Sequence, residues 1–157
     1  MRRSHLASKT VSQASIEIVC PHCTAINRLP ADASLAAAKC GKCHLALQTG
    51  KPVNASTQAF DRFVTRNELP VVVDFWAAWC GPCRGMAPVY ERAAAKLEDR
   101  FRFLKVDTEA EPELAARYQI RAIPTLMLFR KGNLIAQRAG AVDGATLEHW
   151  LLQQHPA

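Results

Sequence analysis

The sequence predicts an α/β layered fold, a sheet with helices packed on it, preceded by a cysteine-bearing segment of different character. Three observations carry this. From residue 56 onward, short β-branched apolar runs alternate with amphipathic stretches, the pattern of strands followed by helices. Two of the runs, Val71–Ala77 and Thr125–Phe129, are apolar on successive rather than alternate residues, as strands covered on both faces are. The chain before Phe60 has no aromatic residue but carries two Cys-x-x-Cys pairs.

Taken in order, residues 1–15 are expected to be a flexible leader, 16–47 a cysteine module, 48–57 a linker in which Val53 begins an edge strand, and 58–157 the α/β domain. Ala59, Phe60, Phe63 and Val64 share one face of a helix capped by Ser56 or Thr57. Val71–Ala77 is a buried strand. Pro82 to about Leu97 is a helix kinked at Pro88, where a backbone donor is missing. Phe101–Val106 alternates as a strand, and Pro112–Tyr118 is a short helix with proline in its first turn. Thr125–Phe129 is a second buried strand. Lys131-Gly132-Asn133 is a hairpin turn, from which Leu134–Arg138 returns antiparallel at one edge of the sheet. A helix over Thr146–Gln153 closes the domain, with Leu147, Trp150 and Leu151 on one face.

Composition narrows the function classes. At 157 residues with 49% apolar and 22% charged residues, the chain can bury a core of its own. No run approaches the roughly 18 apolar residues of a membrane span, so no membrane role is expected. The net charge of +6 is uneven: residues 1–57 hold seven Lys or Arg against two Asp or Glu, and residues 58–157 thirteen against twelve. A basic lobe can bind nucleic acid, but without aromatic residues to stack bases a solvated periphery is the better reading. Arg2-Arg3 invites an export signal. The stretch Leu6 to Gln13 is mixed and polar where an apolar run of about 7–15 residues is needed. A reducing, cytoplasmic setting is therefore expected, in which cysteine pairs serve as metal ligands or redox catalysts.

Cys20-Pro21-His22-Cys23 and Cys40-Gly41-Lys42-Cys43 are separated by sixteen residues, a zinc-ligand spacing. Two residues between cysteines let a tight turn aim both sulfurs at one ion, and two such turns complete a tetrahedron of thiolates. One structural zinc is expected; rubredoxin-like iron and disulfide formation are the alternatives. A segment this short needs a metal in place of a core. Lys39 and Lys42 are expected to offset the charge of the sulfurs, and His22 and His44 to be surface residues.

Trp79-Cys80-Gly81-Pro82-Cys83 stands elsewhere, between a buried strand and a helix. At a helix N-terminus, free N–H groups and the macrodipole favour a thiolate at Cys80, the attacking species in disulfide exchange. Cys83, one turn in, can resolve the mixed disulfide.

Here the chain resembles a known family. Val72-Val73-Asp74-Phe75-Trp76-Ala77-Ala78-Trp79-Cys80-Gly81-Pro82-Cys83 closely resembles the thioredoxin active-site region. The resemblance continues through Lys105-Val106-Asp107, Ile120 to Phe129, Lys131-Gly132 and Ala139-Gly140-Ala141, over about residues 55–154. The four-cysteine module resembles that of the zinc-containing bacterial members. The resemblance implies the thioredoxin fold, a central mixed sheet flanked by helices, with a small N-terminal zinc-ribbon-like module and a cis Ile123–Pro124 bond. It implies a monomeric protein-disulfide reductase without an organic cofactor, in which Cys80 attacks, Cys83 resolves, Asp74 moves the proton and Lys105 tunes Asp74. Trp79, Gly81, Pro82, Ile123, Pro124, Gly140 and Ala141 would form the substrate patch, with Trp76 packed beneath it. Thioredoxin reductase would donate electrons and disulfide-containing proteins would receive them. A binding-only adaptor, a disulfide oxidase or isomerase, and a nucleic-acid binder are the rival readings. The intact cysteine pair argues against the first, its Gly-Pro dipeptide and the absence of an export pattern against the second, and the missing aromatics against the third. The α/β domain holds every aromatic and is expected to fold and keep basal activity when the chain starts near Gly50.

Overall fold

The computed structural model describes residues 14–155. Of the expected leader, residues 1–13 lie outside the described residues, and Ser15 already opens a strand. Strands β1 (Ser15–Val19) and β2 (Ile26–Pro30) form an antiparallel ribbon with Val19 opposite Ile26. A 3₁₀ turn at Leu35–Ala37 comes next, and a bridge between Lys39 and Ala46 closes the second cysteine turn. The module's core is small: Ile18, Leu35 and Leu47 packed with Cys20 and Cys40.

The main sheet has five strands in the order β3-β5-β4-β6-β7. Here β3 is Val53–Asn54, β4 Val71–Trp76, β5 Arg102–Asp107, β6 Thr125–Arg130 and β7 Asn133–Ala139. β3 and β4 run parallel to β5, while β6 is antiparallel to β4 and β7. The sheet is mixed, as the resemblance implies. Helices α1 (Thr57–Arg66) and α3 (Pro112–Arg117) cover one face, and α2 (Gly81–Leu97) and α4 (Gly144–Gln154) the other.

Strand periodicity assigns the faces. Val71, Val73 and Phe75 pack with Phe60, Phe63 and Val64 of α1, whereas Val72 packs with Met86 and Tyr90 of α2 and Leu147 of α4. Asp74 alternates with Val72 and so lies on the α2 face. The helices start where side chains satisfy their free N–H groups: Ser56 Oγ accepts from Ala59 at 3.2 Å and Asp143 Oδ1 from Thr146 at 2.8 Å. α2 runs unbroken through Pro88. At the β6–β7 turn Lys131 and Gly132 both have positive φ, 49° and 83°, the backbone that matches strand twist in a two-residue hairpin.

The ribbon is bound into the domain rather than hung from it. Val19 is fully buried in the α1-side core, and its N–H donates to buried Asn67 Oδ1 at 2.8 Å. Glu68 N–H donates to Glu17 O at 3.0 Å, and Glu17 N–H to the Glu68 carboxylate at 2.6 Å. At the other end of the linker, Glu98 accepts from Thr49 and Gly50 N–H at 2.6 and 2.8 Å. Among the described residues, no helix is long and apolar enough to cross a membrane.

Candidate functional site

β4 ends at Trp76 and the chain turns directly into α2, with Cys80 as the helix cap. Cys80 and Cys83 are joined as a disulfide with their Cα atoms 5.2 Å apart, so the structure is that of the oxidised pair. Cys80 Sγ accepts the Cys83 N–H at 3.2 Å and lies 3.7 Å from the Ile123 carbonyl. Both cysteines are nearly buried. In the reduced state the donor now aimed at Cys80 Sγ would favour its thiolate.

Asp74, on the α2 face of β4, is 1% exposed, its Oδ1 without a hydrogen-bond partner. Burial pushes its carboxyl up from 3.8 to about 7, while the charge of Lys105 pulls the other way. Lys105 is the register partner of Asp74 across β4 and β5, so both side chains lie on the α2 face. The lysine ammonium does not form an ion pair with the carboxylate among the described residues. It sits 4.6 Å from the centre of the Trp76 ring, a cation–π contact, and acts on Asp74 through space.

The remaining expected site residues lie at the start of α2 and in the segments around Pro124 and Gly140. Ile123–Pro124 is cis, and Ile123 is packed against Ala77, Cys80 and Cys83 together with Trp76. Gly140, at φ 95°, donates its N–H to Pro124 O at 2.8 Å, which brings the Gly140-Ala141 segment beside this loop; the positive φ suits glycine. Trp79 is 65% exposed, and Gly81, Pro82, Gly140 and Ala141 are also exposed, while Ile123 is half-buried and Pro124 buried.

Sequence reasoning missed several residues that shape the site. Glu109 accepts the Trp79 indole N–H at 2.5 Å and so orients the exposed ring. Tyr90 Oη lies 2.6 Å from Leu104 O and 3.0 Å from Val72 O, bracing β4 and β5 on the Asp74 side. Arg84 donates to the Ala78 carbonyl at 3.2 Å, holding the turn before Cys80. Only the Arg84 contact is local; the others join residues 14 to 30 positions apart, and no short-range pattern announces them.

The four remaining cysteines form the second centre. Their Sγ atoms all lie within 4.8 Å of one another, with Cys20–Cys43 and Cys23–Cys40 each at 3.6 Å. A tetrahedral zinc about 2.3 Å from each sulfur requires sulfurs about 3.8 Å apart, so the donor set fits that ion. Each knuckle has the same build. Thr24 and His44, directly after the second cysteine of each pair, have φ 61° and 65°. His22 N–H points to Cys20 Sγ at 3.3 Å, Lys42 N–H to Cys40 Sγ at 3.4 Å. The Asn27 amide lies 3.5 Å from Cys40 Sγ, and its oxygen accepts from Gly41 N–H at 2.8 Å. His22 and His44 are exposed, as expected, with His22 Nε2 3.0 Å from Ala46 O.

Comparison with known proteins agrees with both centres. Residues 51–153 match the thioredoxin family and residues 19–45 the family described as the N-terminal part of thioredoxin 2, a zinc ribbon. Thioredoxin C-3 of Corynebacterium nephridii is 42% identical over 137 residues, 87% of this chain and 94% of that protein. The thioredoxin of Porphyra purpurea is 46% identical over 93 residues, covering 59% of this chain and 87% of its own. The solved structure of thioredoxin Mala s 13 from Malassezia sympodialis superposes with a TM-score of 0.58 at 37% identity, covering 63% of this chain and 85% of that one.

Proposed function

The chain belongs to the thioredoxin family and is a thiol–disulfide oxidoreductase, and from that premise we propose that it reduces disulfides in other proteins through Cys80 and Cys83. The observation that carries this is the pair itself: a disulfide at the start of α2 whose Cys80 sulfur accepts a helix N–H, in contact with the cis-proline loop.

In the reduced protein, the Cys80 thiolate attacks one sulfur of a substrate disulfide, and the other substrate sulfur leaves as a thiolate. The Cys83 thiol then gives its proton to Asp74, whose carboxyl near neutral pH can accept it. The Cys83 sulfur attacks Cys80, the mixed disulfide breaks, and the second substrate thiolate departs. Two electrons have passed to the substrate and the chain holds the Cys80–Cys83 bond. Thioredoxin reductase, drawing on NADPH, would return the pair to the dithiol. The electrons reside in the sulfurs, so no organic cofactor is required. Lys105 would tune Asp74, and Trp79, Gly81, Pro82, Ile123, Pro124, Gly140 and Ala141 would receive the substrate chain. We assign the protein to electron transport in a reducing compartment, the cytoplasm, acting as a monomer.

At the second centre, Cys20, Cys23, Cys40 and Cys43 would hold one zinc per chain. Four sulfurs fill a tetrahedral shell, so the ion would stabilise the module without taking part in the reaction. In domain terms, residues 16–47 are then the zinc-binding module, 48–57 the linker and 58–157 the thioredoxin domain. The test is reduction of insulin disulfides by the full chain with NADPH and thioredoxin reductase. Steady NADPH consumption that needs both Cys80 and Cys83 supports the assignment. Turnover that is unchanged when either cysteine is replaced sinks it.

A further inference from the structure

A zinc held by four thiolates carries two negative charges in excess. Lys39 and Lys42, expected to offset them, stand at the periphery, where solvent and salt weaken their effect. The thioredoxin domain supplies a buried cation next to the cysteine module. Arg102, the first residue of β5, is 3% exposed. Its Nη2 donates to Leu47 O at 2.8 Å, and Leu47 packs directly with Cys20 and Cys40. Pro21, next to Cys20, lines the same narrow cleft as Arg102 and Glu98.

Glu98 is the nearest opposite charge to this guanidinium, but it is shared with other donors. Its oxygens already accept the Thr49 and Gly50 N–H groups, and it stands 3.7 Å from Arg102 Nη1, which is buried without a hydrogen bond. Burying a cation is expensive unless opposite charge surrounds it. Burial pulls the Arg102 guanidinium below its ordinary range, and the charges of Glu98 and Cys20 push it back up.

We propose that Arg102 is part of the metal centre, a buried cation supplied by the thioredoxin domain that balances the negative charge of the metal–thiolate cluster from beside Leu47. This rests on the zinc reading above. It also gives the tight seating of the ribbon a purpose, since an isolated ribbon would lack the cation.

The experiment measures zinc affinity of the full-length reduced protein by competition with a chromophoric chelator, for wild type, Arg102→Met, Arg102→Lys and Glu98→Gln. Outer partners of metal ligands are worth about 10–100-fold in affinity, and a loss of that size is expected for Arg102→Met. Arg102→Lys keeps the charge and should recover most of it. Glu98→Gln removes the competing anion and should leave zinc as tight as in wild type or tighter. A purely mechanical clamp would be loosened from either side, so Glu98→Gln weakening zinc as much as Arg102→Met overturns the proposal. Equal loss in the Met and Lys variants, or no loss in either, overturns it too. If Arg102→Met does not fold, Arg102→Gln, which keeps a donor for the Leu47 carbonyl, takes its place: a loss of the same size upholds the proposal and wild-type affinity overturns it. Wild-type protein that takes up no zinc would sink the zinc reading itself, whereas wild-type affinity in every variant sinks only the role of Arg102.

Discussion

Replacing Asp74 with asparagine should favour the fold more in alkaline solution than in acid. The carboxyl is 1% exposed, and its pKa is raised from 3.8 to about 7 by burial. The folded state therefore binds the proton more tightly than the unfolded chain. Below about pH 4 the group is protonated in both states and contributes nothing. As pH rises from 4 to 7 the unfolded chain ionises first, and stability falls. Above 7 the penalty is complete. At about 1.4 kcal/mol for each pH unit between the two values, it amounts to about 4 kcal/mol. Asparagine removes this penalty but buries an amide, which costs about 1–3 kcal/mol if poorly bonded and does so at every pH. The discriminating quantity is therefore the change in the stability difference between variant and wild type from pH 4 to pH 9. Urea denaturation of the oxidised protein measures it, because Cys80 and Cys83 do not titrate there. A difference that stays constant across this range would refute the argument. The same variant should reduce substrate more slowly at neutral pH, since Cys83 loses its proton acceptor.

Cys83→Ser should still attack a substrate disulfide but accumulate the mixed disulfide at Cys80, seen as a covalent adduct by mass spectrometry, whereas Cys80→Ser should form none. Native mass spectrometry should find one zinc on wild type and on the Cys80/Cys83 double variant, and none on the Cys20/Cys23 double variant. Tyr90→Phe should lose about 1–3 kcal/mol in chemical denaturation, because it leaves the buried Leu104 and Val72 carbonyls without the hydroxyl. A chain starting near Gly50 should retain basal reductase activity but melt at a lower temperature than the full chain. It lacks Val19, whose burial is worth about 1.5–3 kcal/mol, and it leaves Asn67 and Arg102 without the partners they now have.

What could be read from the sequence was whatever depends on neighbours along the chain. The successive apolar residues of Val71–Phe75 specify a strand covered on both faces. Ser56 stands three residues before the N–H it caps, and the start of α1 is legible from it. The Cys-x-x-Cys spacing supplies two knuckles of the same build, and the cysteines of Trp79–Cys83 stand at a strand-to-helix junction. The family resemblance added the mixed sheet and the cis bond at Pro124, both of which the structure contains. The tertiary structure decided everything that depends on residues distant in sequence. Lys105 was expected to tune Asp74; its charge does pull the Asp74 carboxyl down, but from a position over the Trp76 ring that no local pattern specifies. The seating of the cysteine module was also decided by the tertiary structure. The sequence presents a cysteine module and an α/β domain joined by a polar linker, whereas the fold buries Val19 in the main core and ties Arg102 to the Leu47 carbonyl of the cysteine module. The physical reason is range: helix caps, strand burial and metal knuckles are satisfied within a few residues, while a buried donor must find its acceptor wherever the folded chain brings one, as the Arg102 guanidinium does 55 residues away at the Leu47 carbonyl.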